Sequence, residues 1–175
     1  MLEKILVVID MQNDFIDGSL GTPEAVAIVD KVVEKIKAYE CKNVYATRDT
    51  HFENYLETSE GKNLPVIHCV KNTLGWQINS KVADVLNGAT ILDKHSFGSL
   101  ELAKILSKRS NTEDIEIEIV GLCTDICVIN NAMLFKAYMP EVPINVDSSC
   151  CAGVTPTSHS NAIDIMKMCH INIQN

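Results

Sequence analysis

The feature that most restricts how this chain can fold is a rhythm. Short apolar stretches of strand length alternate with segments of helical period from one end to the other. Strand patterns fall at residues 4–9, 43–47, 90–93, 115–120, 142–146 and 171–173. The first is nearly continuous in apolar residues, as expected of a strand buried on both faces of a parallel sheet. Between them lie helical patterns. Thr22-Pro23-Glu24 supplies an N-cap, a proline at the first helical position and an acidic first turn, and apolar residues follow at 25, 28, 29, 32, 33 and 36. Further helices are expected at 82–86, 99–108, 130–138 and 155–168. Strand–helix alternation implies parallel pairing through right-handed crossovers. The expected fold is therefore α/β: a doubly wound, mostly parallel six-stranded sheet with helices on both faces. No repeat, low-complexity stretch or linker divides the chain, so residues 1–175 are expected to form a single domain.

In such a sheet, ligands bind beyond the carboxyl ends of the strands. The residues expected there are Asp10, Asp49, Lys94, Cys127 and Asp147, with His51 close by. Cys127 draws the most interest. It follows the 115–120 strand and a Gly121 exit, with Thr124 or Asp125 as a candidate N-cap, and so lies near the first turn of a helix. Backbone N–H groups collect there and favour thiolate over thiol. Cys127 is accordingly expected to be substantially thiolate at neutral pH, whereas the plainer use of a cysteine is as a buried apolar side chain.

Composition removes several classes of function. Hydrophobic residues make up 46% of the chain and charged residues 22%, and the formal net charge is −8. That charge argues against nucleic acid or an anionic membrane as partner. No apolar run approaches the length of a membrane span. The N-terminal residues enter a strand pattern without a signal-peptide layout, so a cytoplasmic protein is expected. Seven cysteines, with no CxxC pair, fit neither a zinc ribbon nor a disulfide framework.

A cysteine attacking a carbonyl needs a base, a cation beside the thiolate and donors for the developing oxyanion. Asp10 can serve as base, Lys94 as cation and the turn before the helix as donor. A second cluster is Asp49-Thr50-His51 with His68, inside the long polar segment 48–75. One carboxylate and two imidazoles suit a borderline divalent cation, zinc first, with iron or manganese as alternatives. Glu57 and Glu60 both lie close enough in sequence to add a carboxylate, and spacing does not choose between them. His95, His159 and His170 read as structural or surface residues.

Five motifs then occur in order: Val8-Ile9-Asp10-Met11-Gln12-Asn13-Asp14-Phe15, Arg48-Asp49-Thr50-His51, the Pro65 to His68 segment, Lys94-His95-Ser96-Phe97 and Gly121 to Val128. Together they resemble the isochorismatase-like cysteine hydrolases, and among these the nicotinamidase branch, over essentially the whole chain. The resemblance implies an Asp10–Lys94–Cys127 triad that cleaves a small amide through a thioester, with nicotinamide as leading substrate. It implies a divalent metal on Asp49, His51 and His68 that anchors a pyridine nitrogen. It also implies a cis Leu122–Cys123 peptide, with the N–H groups of Cys123 and Cys127 forming the oxyanion hole. Phe15, Gln12 and Ile126 would line the substrate pocket, while a reach by Trp76 stays open. Family members are often homo-oligomers. This chain departs from the branch in having Ile126 where tyrosine or histidine is common, Cys123 where alanine is usual, and no tryptophan shortly before His68. The alternatives are a metal-independent isochorismatase-like or carbamoyl hydrolase and, outside enzymes, a thiol-based binding or redox module using Cys123 and Cys127.

Overall fold

The apolar N-terminal run becomes β1 (Glu3–Ile9), the strand from which the sheet extends in both directions in this computed structural model. The structure describes residues 2–174, so Met1 and Asn175, the ends of the expected domain, lie outside it. On one side of β1 come β2 (Val44–Asp49) and β3 (Thr90–Lys94). On the other come β4 (Ile115–Leu122), β5 (Ile144–Ala152) and β6 (Asn172–Gln174). The order is β3-β2-β1-β4-β5-β6, and every pairing is parallel. Strand order thus reverses between β1 and β4, which makes the carboxyl ends of those two strands the switch point at which doubly wound sheets bind ligands.

The helices, in chain order, are α1 (Asn13–Ile16), α2 (Pro23–Lys37), α3 (Ser59–Asn63), α4 (Ser80–Val85), α5 (Leu100–Ser110), α6 (Ile129–Tyr138) and α7 (Pro156–Met168). Side chains of β1 alternate between two separate cores, because successive residues of a strand point to opposite faces. Leu6 and Val8 pack with Ala25, Ile28 and Val32 of α2 and Val82 of α4. Ile5, Val7 and Ile9 pack with Leu102 of α5, Phe135 of α6 and Met166 of α7. The sheet is therefore covered on both faces, and its central strand is buried from Ile5 to Ile9. Among the described residues, no helix is long and apolar enough to cross a membrane.

Two glycine-dependent and capping details shape the switch point. Gly121 lies within β4 rather than at its exit, with φ +119°, and a Cβ there would stand 2.1 Å from the carbonyl oxygen of Ile9. Only glycine permits both that backbone and that approach of β1 to β4. Neither Thr124 nor Asp125 caps the helix beyond it. Residues Thr124–Val128 instead form a π-helical turn that leads into α6, with Cys123 at its N-cap position making no side-chain cap bond. The Thr124 hydroxyl lies 2.8 Å from His159 Nδ1, and the Asp125 carboxylate accepts the Val154 N–H.

Asp147 is the other correction. Strand β5 does not end at 146 but continues to Ala152, pairing Gly121 with Cys151 and Leu122 with Ala152 after a register shift. The polar run Asp147-Ser148-Ser149 hides this in the sequence, because backbone pairing needs no apolar side chain. Asp147 sits in mid-strand, ion-paired with Lys35 of α2 at 2.6 Å, and takes no part at the strand ends.

Candidate active site

Parallel register delivers the first group of side chains. Asp49 and Lys94 are partners at the carboxyl ends of β2 and β3. Asp10 follows Ile9, which pairs with Gly121, and adopts φ 48°, turning its carboxylate toward the same point. The Lys94 ammonium lies 2.8 Å from Asp10 Oδ2, 3.1 Å from Asp49 Oδ1 and 3.4 Å from the Cys127 sulfur. The Thr47 hydroxyl donates to Asp10 Oδ1 at 2.6 Å. Asp10, Lys94 and Cys127 are all buried. The sequence-expected trio is therefore assembled, and the Leu122–Cys123 peptide before it is cis.

The charge states follow from burial and neighbours. Burial pushes the Asp10 carboxyl up; the Lys94 ammonium opposes this but does not cancel it. Burial would lower Lys94, but Asp10, Cys127 and Asp49 around it raise it well above the ordinary range, so it is an ammonium. Burial, helped by Asp10, pushes the Cys127 thiol well up against the pull of Lys94. Burial therefore works against the thiolate expected at rest, and the Lys94 ammonium works for it. Desolvation outweighs the favourable environment of a helix start.

The second group hangs largely from the 50–68 segment. One donor atom from each of Asp49, His51, Glu60 and His68 lies within 4.8 Å of the others. Glu60, on α3, is the acid that joins; Glu57 is not part of the group. His51 Nε2 stands 2.8 Å from Asp49 Oδ2 and is a buried polar atom without a hydrogen bond. His68 bonds the Val66 carbonyl through Nδ1 at 2.8 Å, which points Nε2 at the group. The buried Tyr55 ring packs against both imidazoles, with centroids 4.6 and 5.0 Å away. Burial opposes ionisation of Asp49, but His51, His68 and Lys94 together hold its carboxyl well below the usual range. Glu60 is pushed up by burial and by the Asp49 charge. Two imidazoles, two carboxylates and an orphaned ring nitrogen fit a borderline divalent cation, and a backbone carbonyl behind His68 is the usual support for a metal-binding imidazole.

One cavity of about 840 Å³ is lined by Cys127 of the first group and by all four residues of the second, while Asp10 and Lys94 do not line it. Phe15 and Ile126 line it as expected, and Cys123, Cys127 and the four cluster residues contribute too. His95, read from sequence as structural or surface, is exposed but forms part of the wall, with Ser96 and Phe97. Gln12 does not line it. Its fully buried amide accepts the Asp49 N–H at 2.7 Å and donates to the carbonyls of Asp49 and Trp76 at 2.9 and 2.8 Å. Trp76 likewise stays outside, donating to the Thr50 hydroxyl beneath the Arg48 guanidinium. No lysine or arginine faces the cavity among the residues that line it. Sequence reasoning missed Thr47 and Asn131; a polar residue four positions after Cys127 on an otherwise apolar helix face is the signal that could have found the latter.

Comparison with known proteins agrees with this architecture. A family model described as Isochorismatase domain matches residues 4–174. A pyrazinamidase of Pyrococcus horikoshii, solved in complex with zinc, is 31% identical and superposes with a TM-score of 0.81 over 99% of each chain. A nicotinamidase/pyrazinamidase of Bacillus subtilis, at 23% identity, shares the fold with a TM-score of 0.83 over 99% of this chain and 100% of that one. In sequence, the nicotinamidase of Saccharomyces cerevisiae (strain ATCC 204508 / S288c) is 27% identical, covering 71% of this chain and 77% of the relative.

Proposed function

This chain belongs to the isochorismatase domain family, and from that membership we propose that it is a cysteine amidohydrolase. It cleaves the carbon–nitrogen bond of a small amide, with nicotinamide, giving nicotinate and ammonia, as leading substrate. The observation that carries the reading is the convergence of Asp10, Lys94 and the Cys127 sulfur, which shares one cavity with a four-residue donor group. The pyrazinamidase and nicotinamidase relatives support the same chemistry.

Asp10 acts first, as base. Burial raises the Asp10 carboxyl, which makes its carboxylate a stronger base for the Cys127 proton. The thiolate forms only as the proton leaves and is held by the Lys94 ammonium. Sulfur attacks the amide carbonyl, and the backbone N–H groups of Cys123 and Cys127 receive the oxyanion. Donors fixed beforehand in a dry site contribute about 3–4 kcal/mol each in comparable enzymes. Collapse breaks the C–N bond, Asp10 returns its proton to the leaving nitrogen, and ammonia departs from a thioester on Cys127. Water, deprotonated by Asp10, then releases the acid. Asp49, His51, His68 and Glu60 would hold a divalent cation, zinc in first place, which when bound supplies a Lewis acid to fix a ring nitrogen of the substrate. Phe15 and Ile126 press on the ring and exclude water.

A metal-independent hydrolase acting on a carboxylate-bearing substrate is poorly served here. The cavity wall offers no cation for that carboxylate, and the donor group would have no use. A redox module leaves Asp10 and Lys94 without a reason to meet Cys127. The test is ammonia release from nicotinamide, pyrazinamide and benzamide by protein loaded with zinc. Nicotinamide should be cleaved, and benzamide, which lacks a ring nitrogen, should fall well behind. No ammonia from any amide, with turnover of an enol ether or carbamoyl compound instead, sinks the proposal.

A further inference from the structure

Asn131 sits on α6, four residues beyond Cys127, with no exposure to solvent. Its amide is fully engaged. Nδ2 donates to the carbonyl of Cys127 at 2.8 Å and to that of Phe97 at 3.0 Å, and Oδ1 accepts the Ser99 N–H at 2.9 Å. Those three backbone groups come from two segments distant in sequence. One is the π-helical turn that carries the nucleophile. The other is the loop joining β3 to α5, which begins after Lys94 and gives His95, Ser96 and Phe97 to the cavity wall. The contact between the Lys94 ammonium and the Cys127 sulfur, 3.4 Å long, crosses the same seam. Among the described residues, the hydrogen bonds that the 95–99 loop makes across this seam are those to Asn131.

We propose that Asn131 is a positioning residue for the reaction: it holds the Cys127 turn in register with Lys94 and the Phe97 wall, touching neither substrate nor sulfur. The proposal rests on the reading of Cys127 as nucleophile. Its chemical logic is that the ammonium–sulfur attraction grows as the thiolate develops. Alignment across the seam is then worth more in the transition state than in the bound substrate, and its loss falls on kcat before KM. A displacement of about 1 Å at such a point can cost on the order of 100-fold.

Two variants separate placement from mere packing. Asn131→Ala removes all three bonds, and Asn131→Asp keeps the acceptor for Ser99 while losing both donations. At a temperature where circular dichroism shows each folded, both should lower kcat on nicotinamide by roughly 30- to 100-fold, with KM moving by less than about threefold. Asn130→Ala alters the exposed neighbour that bonds the Ile126 carbonyl, and should leave kcat within about twofold. Alkylation of Cys127 by iodoacetamide, followed by mass spectrometry, supplies a readout with a diagnostic sign. A thiol out of line with Lys94 reacts more slowly, whereas a core that has only loosened exposes the sulfur and reacts faster. Unchanged kcat in both Asn131 variants, or faster alkylation, overturns the proposal. Turnover that persists in Cys127→Ala overturns the nucleophile reading and this proposal with it; loss there, with wild-type kcat in both Asn131 variants, overturns this proposal alone.

Discussion

The Asp10–Lys94–Cys127 group, through its sulfur, and the Asp49–His51–Glu60–His68 group meet at one cavity, yet they are built differently. The first is placed by the sheet. Asp10 and Lys94 stand at the ends of parallel strands whose register leaves little choice of position, and Cys127 follows the strand that β1 touches at Gly121. The second owes only Asp49 to the sheet. His51, Glu60 and His68 come from a segment that folds on itself, with the His51 N–H on the Cys69 carbonyl, the Lys71 N–H on the His51 carbonyl, and Tyr55 packed against both imidazoles. A strand-end group inherits its geometry from the core, while a loop-borne group must assemble its own. The proposed reacting groups thus depend on the sheet's register, and three of the four proposed metal-holding residues lie on a segment outside the sheet.

The largest expected effect breaks the first region and spares the second. Cys127→Ser puts a hydroxyl of far higher pKa where an aspartate must take the proton, so turnover should fall by about four orders of magnitude or more. Metal content measured on the same protein should stay near wild type; loss of both together would show that the two regions are one unit. Next is the converse. His51→Ala/His68→Ala should abolish stoichiometric binding of a divalent metal and cost turnover roughly 100-fold or more, while iodoacetamide still modifies Cys127. Retention of stoichiometric metal in this double variant means that the ligands have been misassigned. A smaller effect sharpens the loop region itself. Glu60→Gln should weaken metal affinity by about 10- to 100-fold and Glu57→Gln should not, as read by competition with a chelator; equal effects would return the choice to where spacing alone left it. The smallest concerns the turn. Cys123→Ala keeps the backbone N–H and removes a thiol that burial, aided by Asp125, has pushed up to about 12. Ammonia release should survive within about tenfold, or ~1.4 kcal/mol of barrier. Near-complete loss in a folded Cys123→Ala protein would instead mean that the two cysteines act together.

How far the sequence discloses each region follows the same division. The strand–helix rhythm, the two-sided burial of β1 and the meeting of Asp10, Lys94 and Cys127 were legible because periodicity fixes strands and a parallel sheet fixes where their ends lie. Asp147 was misplaced because side-chain polarity, not backbone pairing, is what a sequence displays, and β5 runs through three polar residues. The helix position that favours a Cys127 thiolate is visible along the chain, whereas the burial that opposes it is not. Gln12 lies in a legible motif but turns into the backbone of Asp49, an orientation that no spacing reveals. The choice between Glu57 and Glu60 depended on a single turn of helix, α3, in a segment with almost no periodicity. Asn131 and Thr47 bond groups that are far away in sequence, Phe97 and Ser99 for the first and Asp10 for the second.

Asp49 is the one side chain that both regions own. One carboxylate oxygen faces the Lys94 ammonium and the other faces His51 and His68. Substitutions in the two regions are therefore coupled through a shared acceptor, and their effects will not add. Removing Lys94 frees an oxygen that the imidazoles then feel, and filling or emptying the donor group changes how much of the carboxylate remains for Lys94. Any variant of Asp49 reports on a sum that single measurements cannot divide, and the pairwise share has to be taken from a thermodynamic cycle that includes Lys94 and one histidine. In evolutionary terms, this makes Asp49 a point of epistasis: a change tolerated in one half of the cavity is conditional on what the other half already carries.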